Sequence, residues 1–149
     1  MLITQKCRYG LRAVLELAKR DGQGLVKTAD IAKAQAIPPR FLEVILGELR
    51  QGGFVTSRRG ASGGYTLARA VSDLTVGEVI YFLQGGLAGL HCVGSGGKDA
   101  CPLDGRCAFV ELWEETAQAV SSIYDRTTFA DLVERDRQKR GDYVETYSI

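Results

Sequence analysis

Histidine, tryptophan and proline are scarce in this chain of 149 residues, which has one, one and three of them respectively. With His91 as its single histidine, the chain has no Ser/His/Asp set for nucleophilic catalysis. It also lacks a glycine-rich phosphate-binding loop at a strand–helix junction. The sequence therefore predicts neither an enzyme nor a small-molecule substrate.

Long apolar runs are absent as well, since no stretch approaches the roughly 20 apolar residues of a membrane helix. The first eight residues lead directly into an amphipathic pattern and lack the apolar segment and cleavage site of a signal peptide. We therefore expect a cytoplasmic protein with no membrane partner. In that compartment disulfides are rare, and clustered cysteines more often bind metal or do redox work.

Cysteine is uncommon too, but its placement is informative. Three of the four cysteines, Cys92, Cys101 and Cys107, fall within sixteen residues of a glycine-rich stretch with few large apolar side chains. Thiolates are soft ligands that favour iron–sulfur clusters, zinc or copper(I). The spacing predicts a metal or cluster loop. The alternatives are a structural zinc site and a thiol switch in which Cys101 and Cys107 form a disulfide.

The net charge of +1 conceals a division between two halves of the chain. Residues 1–70 contain twelve Lys/Arg and five Asp/Glu, a balance of +7, whereas residues 71–149 contain seven and thirteen, a balance of −6. A basic half joined to an acidic half favours a nucleic-acid-binding part attached to something else.

The basic half predicts three helices. Thr4 is a candidate cap for the first, which reaches about Arg20, and a second covers about 28–35. Proline is tolerated in the first turn of a helix, so the pair Pro38 and Pro39 predicts the start of the third, which ends at a glycine pair. The predicted core face of this third helix consists of Phe41, Leu42, Ile45, Leu46 and Leu49. The second and third helices, joined by a short turn, are typical of a helix-turn-helix.

A β-hairpin is predicted directly after these helices. Residues 54–57 and 65–68 form its strands, and the tip between them contains Arg58, Arg59 and several glycines. A basic hairpin after a helix-turn-helix is the layout of a winged helix. Its third helix can enter a major groove while the tip reaches phosphates or a minor groove. The fold class we predict is mainly α with a small β-hairpin wing.

The acidic half begins with a capping box, Thr75 and Glu78, ahead of an apolar helix. A long helix from Cys107 to about Tyr124 is predicted to carry one apolar stripe, and a short helix at about 128–137 to precede a loose tail at 141–149. The stripe consists of Phe109, Leu112, Trp113, Ala117, Val120, Ile123 and Tyr124. Operator-binding proteins are commonly two-fold dimers, so we expect this stripe to join two copies of the chain in a homodimer. The predicted units are a DNA-binding domain at 1–84, a cysteine loop at 85–107 and a dimerisation segment at 108–149.

Several of these motifs resemble those of the IscR-like iron–sulfur transcription regulators, a bacterial group that includes IscR, the nitric-oxide-responsive NsrR and the cluster-free CymR. The most specific is RGASGGYTL at residues 59–67, which resembles the family's wing motif; a Cys-x5-Trp segment ending at Trp113 also fits. The resemblance covers about residues 1–133. It implies a homodimeric winged-helix repressor or activator that binds double-stranded operator DNA and an iron–sulfur cluster, 2Fe-2S being favoured over 4Fe-4S.

The chain departs from IscR at two points within the cysteine loop. Eight residues separate Cys92 and Cys101 here, against five in IscR, and the IscR ligand three positions after the third cysteine is replaced by Val110. A fourth ligand must therefore come from elsewhere. His91 directly adjoins Cys92, and neighbours in an extended chain point apart.

Cys7 is the other candidate for the fourth ligand. It stands near the place from which an NsrR-like partner subunit donates a carboxylate. The plain alternative for Cys7 is a buried small apolar residue. Solvent, an acidic side chain or a small thiol could also complete the site.

The resemblance also indicates which residues bind DNA, namely Arg40 and Glu43 in the third helix and Arg59 in the wing. Arg40 can reach guanine or phosphate, and Glu43 can accept a hydrogen bond from the N4 amino group of cytosine. Arg59 suits a narrow minor groove, and Arg58 suits phosphate contacts. For Glu43 the alternative is an ordinary solvated helix residue.

Overall fold

The computed structural model describes residues 3–85 and 106–145. These residues form six α-helices, one short 3₁₀ turn and one antiparallel hairpin. The elements are α1 (Gln5–Lys19), α2 (Thr28–Gln35), α3 (Pro39–Gln51), β1 (Val55–Arg58), β2 (Gly64–Leu67), the 3₁₀ turn (Val71–Asp73), α4 (Val76–Gln84), α5 (Val110–Arg126) and α6 (Phe129–Glu145). The predicted fold class, mainly α with a small hairpin wing, is confirmed.

Helix α1 lies at the centre of the molecule and contacts α2, α3, α4 and α6. It begins as predicted, because the Thr4 side chain accepts a hydrogen bond from the Cys7 amide at 3.2 Å. Where it crosses α4, Gly10 lies directly against the Leu83 side chain, and a methyl group at this position would clash. The close crossing places α1 between α2 and α3 on one side and the C-terminal half of the chain on the other.

The helix-turn-helix consists of α2 and α3. Helix α2 ends at Ala36, whose positive φ of 48° turns the chain, and Ile37 is then buried in the core. Pro39 occupies the first turn of α3, where its missing amide costs no hydrogen bond. The buried face of α3 consists of Leu42, Ile45, Leu46 and Leu49. Phe41, which we predicted to belong to this face, is exposed instead.

The hairpin pairs Val55 with Leu67, Thr56 with Thr66, Ser57 with Tyr65 and Arg58 with Gly64. Its second strand is held on the other side by Val26, which exchanges two backbone hydrogen bonds of 2.8 Å with Tyr65. A Cβ atom at Gly64 would lie 2.5 Å from the Val26 carbonyl oxygen. Gly63 and Gly64 of the wing motif therefore let other backbone segments approach more closely than any side chain at these positions would allow.

The predicted capping box of α4 is present: the Glu78 amide donates to the Thr75 hydroxyl and the Glu78 carboxylate accepts from the Thr75 amide. Helix α6 begins beside it, since Phe129 is fully buried and its amide donates to the Leu74 carbonyl. These contacts attach the start of α6 to the start of α4.

The last helix is longer than the sequence predicts. Helix α6 continues from Phe129 to Glu145, through Gly141, so the expectation of a loose tail is wrong for residues 141–145, and its remaining residues, 146–149, lie outside the described part of the chain. Ion pairs between Arg137 and Glu134 and between Arg140 and Asp136 span successive turns of its exposed side. Such i,i+3 and i,i+4 pairs stabilise a helix that lacks a strong apolar stripe.

Within the described part of the chain, no helix has both the length and the apolar character that crossing a membrane requires.

Candidate nucleic-acid interface

Helix α3 presents one face to the core and the opposite face to solvent. Its four buried side chains recur at helical spacing, so Arg40, Glu43 and Val44 lie on the solvent side and all three are exposed. Within the described residues, Arg40 and Glu43 have no hydrogen-bond or ion-pair partner. Both side chains are therefore free to contact a ligand.

Phe41 lies at the edge of the buried face, near the start of α3. There no other described element covers it, and 64% of the residue is exposed. Val44 is exposed to 61%. The sequence pattern failed for Phe41 because helical periodicity identifies a stripe but not which of its residues a neighbouring element reaches.

The wing lies next to α3 and is tied to it. Arg50 near the end of α3 donates to the Ser57 hydroxyl of β1 at 3.3 Å, and Val55 is buried in the shared core. At the tip, a hydrogen bond of 2.9 Å from the Gly63 amide to the Gly60 carbonyl closes the turn, with Gly60 at a φ of 106°. Only glycine adopts that conformation readily.

The two wing arginines have different surroundings, although both are exposed. Arg58 donates to the Ser62 hydroxyl at 3.3 Å, which restrains its side chain beside the turn. Arg59 makes no hydrogen bond or ion pair with any described residue, and so it can extend away from the protein. Besides Glu43, helix α3 contains one other acidic residue, Glu48, whose carboxylate forms an ion pair of 3.0 Å with Lys6 of α1. The exposed surface of α3 and the wing is thus predominantly basic.

The cysteine loop lies mostly outside the described residues, which include neither Cys92 nor Cys101, nor the candidate ligand His91. Cys107 is described: it is half-buried, it is a free thiol, and its carbonyl accepts from the Val110 amide at the start of α5. Over 3–85 and 106–145, no three His, Cys, Asp or Glu side chains converge on a metal position.

Cys7 is in a different environment. The residue is 0% exposed and belongs to the hydrophobic core of its own chain. Burial raises the pKa of its thiol, although the nearby charge of Lys6 acts in the opposite direction. This environment matches the plain alternative, a buried small apolar residue, and weighs against Cys7 as a ligand.

Comparison with known proteins identifies the family. Residues 3–135 match the model of Rrf2, an iron-dependent transcriptional regulator. The chain belongs to the Rrf2 family. As a family member, it is a DNA-binding transcriptional regulator and not an enzyme, as the sequence predicts.

Relatives of this Rrf2-family chain include the protein rrf2 of Nitratidesulfovibrio vulgaris, which is 35% identical over 89% of this chain and 87% of its own length. The regulator IscR of Serratia proteamaculans is 35% identical over 89% of this chain and 79% of its own. The resemblance to IscR-like regulators is thus confirmed.

Solved structures give the same result. CymR, the global cysteine regulator of B. subtilis, superposes with a TM-score of 0.75 at 34% identity, over 91% of this chain and 98% of its own. IscR of T. potens superposes with a TM-score of 0.73 at 30% identity, over 91% and 88% respectively.

Helix α5 of this Rrf2-family chain divides its apolar residues between two directions. Ala117 is buried, and Trp113, Val120 and Tyr124 are half-buried on the same side. The adjacent flank leaves Phe109, Leu112 and Ile123 exposed to 59%, 50% and 49%. The predicted single stripe is therefore two surfaces, one covered within the chain and one open.

Sequence reasoning missed a polar network behind the helix-turn-helix. The Glu16 carboxylate of α1, 3% exposed, accepts from Gln35 of α2 at 2.8 Å and from Arg20 at 2.7 Å. Lys19 lies 3.4 Å from the same carboxylate and 3.3 Å from Asp136 of α6. Glu16 does not belong to the apolar stripe of α1, so the helical pattern in the sequence gave no signal of its burial.

Proposed function

We propose that this regulator is a homodimer that binds operator DNA with α3 and the wing, and that its cysteine loop holds an iron–sulfur cluster that alters this binding. The observation that carries the DNA part is the exposed, unpartnered set formed by Arg40 and Glu43 on α3 and Arg59 in the adjacent wing. Polar groups without partners inside the protein are available to base edges and phosphates.

Each of these residues has a distinct role in the proposal. Arg40 contacts guanine or phosphate and Glu43 accepts from cytosine N4, both from the major groove. Arg59 enters a minor groove, where its freedom from internal contacts is an advantage. Arg58, restrained by Ser62, contacts phosphate and contributes to affinity for any sequence.

The proposed cluster ligands are Cys92, Cys101 and Cys107. The support is their thiol chemistry and spacing, the half-buried position of Cys107 at the start of α5, and the similarity to IscR. Bound there, a cluster, 2Fe-2S in the favoured form, would supply a centre sensitive to iron supply, redox state or nitric oxide. Helix α5 contacts α4, and α4 contacts α1, so the residue at the start of α5 is linked by packing to the DNA-binding elements.

The fourth ligand has two protein candidates, Cys7 of a partner subunit and His91. Burial of Cys7 opposes the first, because exposing this thiol to a partner's loop would require opening the core around it. His91 is thereby favoured over Cys7, and solvent or a small thiol can also complete such a site.

Homodimer formation is supported by the open flank of α5. Three large apolar side chains, each exposed by about half, lie along this flank, and exposed apolar surface of this kind marks protein interfaces. An interface here would use α5 and not α3, which would leave both DNA-reading helices available to two half-sites.

The cluster proposal is tested by replacing each of the three loop cysteines with alanine and assaying iron and sulfide after anaerobic purification. We expect brown wild-type protein and loss of most iron in every variant, because each thiolate supplies one of the few bonds to the cluster. Full iron content in any two of the variants would refute the ligand assignment.

A Cys7→Ser variant tests the partner-subunit ligand separately. If Cys7 is only a core residue, the visible spectrum and the lifetime of the cluster in air remain those of the wild type, and only the thermal stability falls. A lost or short-lived cluster in a variant that still folds would instead assign the fourth ligand to Cys7.

The second candidate function is a cluster-free regulator of the same fold, with a Cys101–Cys107 thiol switch or a structural zinc site. It is favoured by the similarity to CymR, of which the solved structures include an oxidised form from Staphylococcus aureus at 33% identity. Colourless protein after anaerobic purification would support this alternative. A zinc assay would then separate the zinc site from the thiol switch.

A further inference from the structure

Helix α3 carries two large apolar side chains on the surface that the proposed function assigns to DNA. Phe41 and Val44 are 64% and 61% exposed, more than any other large apolar residue that the structure describes. Residues three apart on a helix are neighbours, so these two side chains form one apolar patch. Neither side chain contributes to the hydrophobic core. Their exposure therefore has no explanation in the folding of the chain.

The patch lies among the polar groups assigned to base recognition. Arg40 precedes Val44 by four residues and so lies one helical turn before it on the outward face, and Glu43 adjoins Val44 in the chain. One turn after Val44, at Gly47, a Cβ atom would meet no protein atom within 4 Å. The outward face of α3 is therefore an apolar segment next to one cation and one carboxylate, with open space beyond it.

The surrounding charges indicate what covers this patch. Arg40 of α3 and Arg58 and Arg59 of the adjacent wing are exposed, and two copies of such a basic surface would repel each other. Duplex DNA is a polyanion, and its major groove contains one apolar group, the C5 methyl of thymine. A surface that is basic around an apolar centre thus complements a groove lined with phosphates in which thymine methyl groups project.

We infer that Phe41 and Val44 are specificity-determining residues that recognise thymine methyl groups in the major groove. This inference rests on the proposed binding of DNA through α3, and it adds a prediction about the half-site. One or two A·T pairs, read through their methyl groups, adjoin the G·C pair that Arg40 and Glu43 read through hydrogen bonds. Replacement of thymine by uracil removes the methyl and leaves every hydrogen-bonding group in place.

The test uses the full-length protein, both as purified anaerobically and after metal removal, and a duplex that the protein itself selects from a random-sequence library. Each thymine of the half-site is replaced in turn by deoxyuridine, and Kd is measured. Because one methyl-sized group buried from water is worth about 0.8 kcal/mol, we expect wild-type binding to weaken about fourfold at one or two positions.

The decisive measurement repeats the series with Val44→Ala and Phe41→Ala. Each variant should bind the thymine duplex more weakly, and each should lose the discrimination against uracil at its own position while keeping it at the other. Both side chains are exposed, so thermal stability should stay at the wild-type value. Arg58→Ala is the matched control, expected to weaken binding to the thymine and uracil duplexes by the same factor.

Two other outcomes are informative. If the wild type binds thymine and uracil duplexes equally while Arg59→Ala still weakens binding, the methyl inference is wrong and the DNA proposal stands. The same conclusion follows if the alanine variants weaken binding to both duplexes alike. If the protein selects no sequence, or Arg59→Ala leaves its affinity unchanged, the proposed DNA surface and the inference fail together.

Discussion

Glu16 is the one charged residue that is buried within the described part of the chain. Burial would raise the pKa of this carboxyl, but hydrogen bonds from Gln35 and Arg20, with the charges of Lys19 and Arg20, outweigh that effect and lower it. The carboxylate therefore stabilises the fold in its ionised form, and it holds the end of α2 against α1. In this way a single side chain helps to fix the first helix of the helix-turn-helix.

We expect Glu16→Gln to lower the free energy of unfolding by about 1–3 kcal/mol at neutral pH, because it removes a charge that several donors share. The lowered pKa gives the sign of the pH dependence. The stabilisation is fully present above the ordinary glutamate pKa of about 4.3 and is lost as the pH falls through the lower folded-state value. The difference between wild type and variant should thus be constant from pH 7 to about pH 5 and shrink in more acid solution.

Urea unfolding at a series of pH values measures this difference. Glu48→Gln is the matched control, since Glu48 forms an exposed ion pair with Lys6 and its loss should cost at most about 1 kcal/mol. Equal effects of the two substitutions, or a Glu16 effect that grows toward low pH, would contradict the role assigned to Glu16.

At the level of elements, local signals in the sequence predicted most of the fold. Caps such as Thr4, and the capping box at Thr75, act within one turn, so their helices begin where the sequence indicates. Tertiary packing decided the remainder. Phe41 is exposed because no element reaches it, and α6 extends past Gly141 where local signals are weak. The polar members of the candidate site were predicted through the resemblance to IscR-like regulators, whereas its apolar pair required the structure.

The wing depends on Gly64, where β2 approaches Val26. We expect Gly64→Ala to destabilise the protein by about 1–3 kcal/mol, because the new methyl would press on the Val26 carbonyl 2.5 Å away and separate the backbone pair. Thermal unfolding measures the loss, and amide exchange at Val26 and Tyr65 shows whether it is local to the wing.

Gly47→Ala in α3 provides the control for this substitution. A methyl there meets nothing within 4 Å, and alanine favours a helix over glycine by about 1 kcal/mol, so this variant should be more stable than the wild type. A Gly64→Ala protein that is as stable as the Gly47→Ala protein would show that the close approach to Val26 does not constrain the wing.

At the level of the whole molecule, the two halves differ in charge and in the surfaces they expose. The basic half carries the helix-turn-helix and the wing, whereas the acidic half carries Cys107 and the open flank of α5. Helix α1 contacts elements of both halves, with Gly10 against Leu83 of α4 and Lys19 paired with Asp136 of α6. Helix α1 is thus packed against both halves, and the proposed regulation would act through these contacts.

The open flank of α5 gives the test of assembly. A glutamate in place of Leu112 or Ile123 would bury an unpaired charge in the proposed dimer interface, so we expect each substitution to weaken dimerisation on the order of 100-fold or more. Sedimentation or light scattering across a dilution series measures the change. Gln118→Glu, which adds the same charge on an exposed position away from this flank, should remain dimeric.

Since a monomer reaches one half-site only, the Leu112 and Ile123 variants should also bind a two-half-site operator more weakly while keeping their fold and their preference for its half-site sequence. A wild type that is monomeric at micromolar concentration, or a Leu112→Glu protein that dimerises normally, would show that this flank has another role.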